Sequence, residues 1–446
     1  MGGSIMRTEV VCGVDIGSTN CKVVALDRNG NVVARARQTT PRNSSDLSID
    51  ARGILDAIED MLLEVCGTEY MVAAVACAGI GEDGVLLDKD RGPLGSALAW
   101  FDPRRTRLFE GLEPRLSAAD WIGVHANPSH TLTGWLWSRQ QQASGMAASW
   151  AAITDYAATR WSRRPFISDT LAARTAAWDR RTRTWLTDRV DMTLGSTELL
   201  PEVVRTGEPV GALHSDRLSS AGVLAPEATV VAGGHDHPIG GWGVDQLHPG
   251  AILDSMGTAE VVVAQSPTPN IPRFDGCDVG PGILSSGSTL LTVTELSRNV
   301  EWTSQDPAVA AALQAIIDGT QQPDEYLQSD AFIPGSPGGV RPQYALDAPA
   351  APLSRASAVA GALARAGDAA IEAVASKMPP GAPVYVAGGW ARSQGWIDIK
   401  RAFIDTDVHV IPEPEVTAVG AALLAAQAIT WRVPARTALS LKTSAI

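Results

Sequence analysis

The sequence predicts an α/β protein built of two similar halves that face each other across a central cleft. Three observations carry this. The chain has 446 residues, more than one ordinary core holds. Its first stretch reads strand, turn, strand, turn, strand, helix, strand. After residue 250 a hairpin with a Gly and hydroxyl turn returns, again followed by alternating helix and strand. The repeat lies in element order, not in residue identity. Two such halves leave a cleft between them, the usual place for a small-molecule site.

Each element has a local cause. Val10–Asp15, Lys22–Leu26 and Asn31–Gln38 are β-rich runs, the last two separated by the turn signal Asp27-Arg28-Asn29-Gly30. Asp50–Val65 is predicted as a helix because Ile54, Leu55, Ile58, Met61, Leu62 and Val65 recur at helical spacing. Val72–Ala76 reads as a short strand. Residues 85–220 are mixed and hold eight of the thirteen Trp residues, namely Trp100, Trp121, Trp135, Trp137, Trp150, Trp161, Trp178 and Trp185. They could be core packing or an aromatic wall around a polar ligand. Thr229–Ala232 is a strand, and Ala251–Ser255 with Val261–Ala264 a second hairpin. Residues 266–282 and 334–352 are Pro/Gly-rich loop. Ala356–Met378 is a helix stopped by Pro379-Pro380-Gly381. Strand Val384–Val386, a helix to about residue 404, strand Val408–Ile411 and helix Val416–Ala428 complete the chain.

Composition excludes several classes. The net charge is −13, without Lys/Arg blocks, which argues against nucleic acid and anionic membranes as partners. The five cysteines, Cys12, Cys21, Cys66, Cys77 and Cys277, are scattered and have no CxxC spacing. That suits a reducing cytosol and supports neither zinc nor a disulfide framework. Met1–Arg7 lacks the apolar stretch of a signal peptide, and no segment approaches the roughly 20 apolar residues of a membrane span. The expectation is a cytoplasmic globular protein.

Three turns at strand ends carry the chemistry. Asp15-Ile16-Gly17-Ser18-Thr19 joins two strands with no helix start. Backbone N–H groups in such a turn make an anion-binding concavity, and a carboxylate beside them can hold hydrated Mg²⁺. Ser255-Met256-Gly257-Thr258 is the second turn and Gly388-Gly389 the third. Each alone fits a plain hairpin or helix entry; together they look like two phosphate grips and a purine shelf. There is no GxxxxGK[ST] and no GxGxxG between strand and helix, so the P-loop and Rossmann readings fail. Asp236 follows a strand and two glycines and has His235 and His237 on either side. It is placed to accept a proton from a substrate hydroxyl, or to cap a helix. Two His and one Asp make an incomplete metal set. Lys22 could balance phosphate charge or be a solvated strand residue. Glu82, Asp83 and Asp102 beside Trp100 offer hydroxyl acceptors next to a flat apolar wall, as a polyol needs, or form a solvated loop.

These motifs, in this order, resemble the FGGY carbohydrate kinases, of the superfamily of actin, hexokinase and the 70-kilodalton heat-shock chaperones. Asp15–Lys22 resembles the family's first phosphate motif and Trp100-Phe101-Asp102-Pro103-Arg104 its Trp-x-Asp-x-Arg segment. Ser168–Thr175 with Asp179 and Trp185, then Leu200-Pro201 through Gly207 and Gly211, resemble its mid-domain stretch. Gly234-His235-Asp236 sits where the family has its catalytic Asp. Ser255–Thr258 resembles the second phosphate motif, Gly388–Ser393 the adenosine motif and Glu415–Ala422 the final helix signature.

The resemblance implies two ribonuclease H-like (actin-like ATPase) domains, 1–245 for sugar and the catalytic Asp236 and 246–446 for ATP. It implies phosphorylation of a ketose or alditol hydroxyl, with ATP and Mg²⁺ as cofactors. Asp15 would hold the metal. Gly17, Ser18, Thr19, Lys22, Gly257, Thr258, Gly388, Gly389 and Ser393 would bind ATP. Glu82, Asp83, Trp100, Asp236 and His237 would meet the sugar. Self-association as a homodimer stays open. Two departures stand out. Phe332–Pro342 only loosely matches the family's Gly-Glu-Arg-x-Pro stretch and lacks its Glu. Gly79–Gly84 has neither the Met-His pair of typical xylulose kinases nor the Arg before Glu of glycerol kinases. A kinase of a cyclitol or other non-sugar polyhydroxy compound, and an ATPase of the actin or chaperone kind, are the competing readings.

Overall fold

The computed structural model describes residues 7–141, 146–274, 276–336, 339 and 341–441. Two six-stranded sheets dominate it. In the first, β1 (Thr8–Ile16), β2 (Asn20–Leu26) and β3 (Val32–Thr39) form an antiparallel meander. β4 (Tyr70–Gly79) and the strand Leu224–His235 then add parallel to β1, and Pro209–Ala212 closes the edge. In the second, Ser288–Glu295, Ala259–Ser266 and Ile252–Met256 are the meander, and Val384–Ala387 and Val408–Val410 the parallel pair. Asp278–Pro281 forms its edge. The repeat expected from element order is therefore present strand for strand: three antiparallel strands leading into two parallel ones.

The helix α1 (Ala51–Cys66) begins where Asp50 accepts the Arg52 and Gly53 N–H groups, an N-cap that satisfies two orphan donors. Its apolar face, Ile54, Ile58, Met61, Leu62 and Val65, packs on one face of the first sheet. The Ala-rich helix Pro352–Ala375 covers the second sheet in the same way. Between the sheets lie two helices, Asp236–Asp245 and Val416–Ala428, which share one core with β1, β4 and the strands Ile252–Met256 and Ala259–Ser266. The second is apolar nearly all round, as a helix buried on every side must be. It touches β1 so closely that a Cβ at Gly13 would stand 1.8 Å from the Ala418 carbonyl. It also packs tightly on the first helix, where a Cβ at Gly420 would stand 2.5 Å from the Ile239 carbonyl.

Several expectations change. β4 and Leu224–His235 are longer than predicted because both are buried on two faces and need no alternation. The stretch expected as loop over 266–282 ends in the edge strand Asp278–Pro281, paired to a strand, Ser288–Glu295, that the sequence did not announce. Of the eight Trp residues in 85–220, Trp135, Trp150, Trp161 and Trp178 are fully buried and are core. Within the loosely matching stretch 332–342, residues 337, 338 and 340 lie outside the described residues. Among the described residues no helix is long and apolar enough to cross a membrane.

Candidate active site

The register of the first sheet puts the site together. Asp15 lies opposite Ala78 on β4, and Ala78 lies opposite Gly234. Asp15, Glu82 and Asp236 thus sit at or just beyond the carboxyl ends of three adjacent parallel strands, where open α/β sheets bind ligands. In the second sheet Ser255 lies opposite Ala387. Gly257-Thr258 and Gly388-Gly389 therefore leave neighbouring strands at one end. A Cβ at Gly388, whose φ is +94°, would stand 2.2 Å from the Met256 carbonyl, so only glycine allows the two turns to touch.

Asp236 opens the helix Asp236–Asp245, with His235 rather than Asp236 at the N-cap. Its Oδ1 accepts the His237 N–H at 2.7 Å and lies 3.2 Å from His235 Nε2. Burial, with Arg174 nearby, holds the His235 pKa well below its usual value. His235 is therefore neutral, and its approach to Asp236 is not an ion pair. His237 Nε2 stands 3.8 Å from Asp236 on the more open side. Asp15 is pushed up to about 6 by burial, partly offset by Lys22 and reinforced by the Asp236 charge. The two carboxylates thus face the same space.

Lys22 lies opposite Asp15 in the β1–β2 hairpin. Its Nζ is 3.3 Å from Asp15 and 2.7 Å from Glu415, the residue ahead of helix Val416–Ala428. Burial alone would lower its pKa, but these two carboxylates raise it and keep it charged. Lys22 is thus a bonded part of the site and not a solvated strand residue. The Ser18 hydroxyl accepts the Trp100 indole N–H at 2.9 Å, so the turn expected to meet phosphate and the aromatic expected to meet sugar are in contact. In the second hairpin the Gly257 N–H donates to the Ala259 carbonyl, and Ser297 Oγ to the Gly257 carbonyl. Ser393 precedes helix Gln394–Phe403 beside the Gly388 turn.

Glu82 and Asp83 separate. Glu82 Oε1 accepts Arg174 Nε at 2.7 Å, and Glu82 keeps a little accessible surface. Asp83 has no accessible surface, and its carboxylate is held by buried Arg105 at 2.9 Å. Burial pushes Asp83 up to about 7. The expectation that Asp83 meets the sugar is therefore corrected: it anchors Arg105, which also donates to the Leu98 and His130 carbonyls and so fixes the floor below Trp100. Asp102 is likewise structural, bonded to Arg104 at 2.7 Å. Among the described residues no group of three or more His, Cys, Asp and Glu forms a metal cluster. The sequence reading gave no role to Arg174 or Asp278. Arg174 carried a signal, since it lies in the quoted Ser168–Thr175 stretch; Asp278 carried none.

The fold and this arrangement are those of a two-domain sugar kinase. The model of the FGGY family of carbohydrate kinases, N-terminal domain, matches residues 10–243. The chain belongs to that family: it is a carbohydrate kinase that uses ATP on a small sugar. It is 26% identical to L-fuculokinase of Escherichia coli K12, over 94% of this chain and 92% of that protein. It is 27% identical to xylulose kinase of Streptomyces rubiginosus, over 98% and 91%. The crystal structure of xylulose kinase from Rhodospirillum rubrum superposes with a TM-score of 0.84 at 18% identity, covering 97% of this chain and 92% of that one.

Proposed function

We propose that the chain transfers the γ-phosphoryl group of ATP to a hydroxyl of a ketose of five or six carbons, with Asp236 as the general base. The observation that carries this is the meeting of Asp15, Glu82 and Asp236 at the carboxyl ends of three parallel strands, with the Gly257 and Gly388 turns leaving one end of the second sheet. The ketose class is supported by the L-fuculokinase and xylulose kinase relatives.

In this reading the sugar hydroxyl is hydrogen-bonded to Asp236, which takes its proton as the oxygen bonds to the γ-phosphorus. The bond to the bridging oxygen breaks and ADP leaves. Phosphoryl transfer asks the protein mainly for positioning and charge. Gly17, Ser18, Thr19, Gly257 and Thr258 would cradle the phosphates, with Lys22 adding a cation. Gly388, Gly389 and Ser393 would border the adenosine. Glu82, Trp100 and His237 would line the sugar pocket. Residues 1–245 would then hold the sugar and base, and 246–446 most of the ATP.

The site suits Mg²⁺. The ion keeps several waters and uses one or two carboxylates, and Asp15 is a buried carboxylate that another carboxylate already raises. Asp15 would hold the hydrated ion, which neutralises phosphate charge when bound. Five unpaired, buried cysteines support a cytoplasmic setting. A panel of ketopentoses, ketohexoses, alditols, glycerol and cyclitols, assayed by ADP release, tests the reading. One ketose is expected to stimulate ADP release strongly. ADP release that ignores every ketose would refute the ketose assignment.

A further inference from the structure

The two halves are bolted together beside the sugar-side carboxylate. Arg174 belongs to the N-terminal half, just after the short helix Asp169–Ala173. Its Nε donates to Glu82 at 2.7 Å, and its Nη1 donates to Asp278 of the C-terminal half at 2.8 Å. Arg273 braces Asp278 from behind at 3.2 Å. Burial alone would lower the Arg174 pKa, but Glu82 and Asp278 outweigh it and raise it. The edge strand that carries Asp278 is fastened to the N-terminal half by the Val279 N–H, which donates to the Gly123 carbonyl at 2.7 Å. A Cβ at Gly123 would lie 2.1 Å from the Val279 carbonyl. Arg180 donates to the Ile271 carbonyl across the same seam. Between these contacts the halves leave a void of about 20 Å³, bordered by Arg174, His235 and Asp278, about the room of one water.

The Arg174 side chain also packs on the catalytic neighbourhood. A Cβ at Gly81 would meet His235 at 2.8 Å and Arg174 Cγ at 3.0 Å. One guanidinium thus bonds the carboxylate proposed for the sugar and an acid from the other half, and the same side chain borders the small void that His235 also borders.

We propose that Arg174 is a positioning residue and Asp278 its cross-domain anchor, so that Glu82 is held in its sugar-binding orientation only when the halves are closed. Arg174 presents Nε to Glu82 and Nη1 to Asp278 at once. A planar fork fixes both bonds in one geometry, which an ammonium on a flexible stem does not. Glu82 Oε1 is spent on Arg174, which leaves Oε2 for a sugar hydroxyl. Opening the seam removes Asp278 from Arg174 and frees Arg174 to swing, and Glu82 with it. The sugar pocket is therefore completed by a residue of the half proposed to hold ATP. This inference rests on Glu82 meeting the sugar.

The test uses the full-length enzyme with Arg174→Gln, Arg174→Lys, Asp278→Asn and the Arg174→Gln/Asp278→Asn pair. For Arg174→Gln the sugar KM is expected to rise about tenfold or more while the ATP KM moves by no more than about twofold. Arg174→Lys should recover part of that loss. Asp278→Asn keeps the Glu82 contact but loosens the seam, so kcat/KM for sugar should fall while ATP hydrolysis without transfer rises. The double variant should be no worse than Arg174→Gln alone, since both changes break one unit. Equal shifts in both KM values, or strict additivity, would overturn the proposal. A second measurement needs no sugar. Hydrogen exchange of the Val279 amide in the free enzyme should quicken several-fold in Asp278→Asn. An unchanged rate overturns the anchor. A quickened rate in an enzyme that no ketose stimulates sustains the anchor and refutes the ketose assignment.

Discussion

Replacing Asp236 by asparagine separates the chemistry of the site from its architecture. The exchange keeps size and shape. The amide oxygen still accepts the His237 N–H, now 2.7 Å from Oδ1, and still lies beside His235 Nε2, 3.2 Å away. Because His235 is neutral, no ion pair is lost. The retained bond has a net worth of about 1 kcal/mol, so stability should change by no more than about that. What disappears is the lone pair that takes the hydroxyl proton. General-base catalysis contributes about 10²–10⁴-fold, or about 3–5 kcal/mol of barrier at 1.36 kcal/mol per decade. The expected outcome is a kcat lower by that factor, an ATP KM within about threefold of the parent, and an unshifted Tm. Coupled ADP-release kinetics with the cognate sugar and a thermal melt measure all three. A kcat within about tenfold of the parent would refute the assignment.

Three further outcomes follow from other residues. Glu82→Ala should raise the sugar KM by at least about tenfold and leave the ATP KM nearly unchanged; parallel rises would move Glu82 out of the sugar pocket. Lys400 is fully buried, 3.0 Å from Asp254 and bonded to Glu260, both also buried. Lys400→Met strands two carboxylates and should cost about 3–5 kcal/mol in urea unfolding; a loss below about 1 kcal/mol would show that the triad contributes little. Asp155 is buried, accepts the Ser168 N–H at 2.7 Å, and burial pushes its carboxyl up to about 7. Its charged form is penalised in the fold, so the penalty is fully present above pH 7 and fades as pH falls toward the unfolded value near 4. Asp155→Asn should therefore stabilise the enzyme by about 2–4 kcal/mol at pH 8 and by almost nothing at pH 4; equal shifts at both pH values would contradict that.

Much of the fold is legible in the chain because it is written locally. Asp27-Arg28-Asn29-Gly30 makes its turn wherever it stands, and the apolar spacing from Ile54 to Val65 makes a helix with one buried face. The edge strand Asp278–Pro281 is not legible. It lies in a Pro/Gly-rich stretch and is a strand only because Ser288–Glu295 offers it a ladder. The same division runs through the site. The Gly17, Gly257 and Gly388 turns announce themselves by residue type. Nothing local separates Glu82 from its neighbour Asp83: which arginine holds each carboxylate depends on Arg174 and Arg105, 92 and 22 residues away along the chain.

By itself, then, the sequence determined the kind of machine. Short-range rules set the paired hairpins, the Gly and hydroxyl turns, the helix–strand alternation and the placing of Asp236 after a strand and two glycines. The tertiary structure alone decided which charges pair. Lys22 bridges Asp15 and Glu415, Trp100 reaches Ser18, and Arg174 joins Glu82 to Asp278 across the two halves. Apart from Lys22–Asp15, which share a hairpin, these contacts link residues tens to hundreds of positions apart. Their energies depend on burial and on fork or bond geometry, which exist only once the sheets have closed around the helices between them.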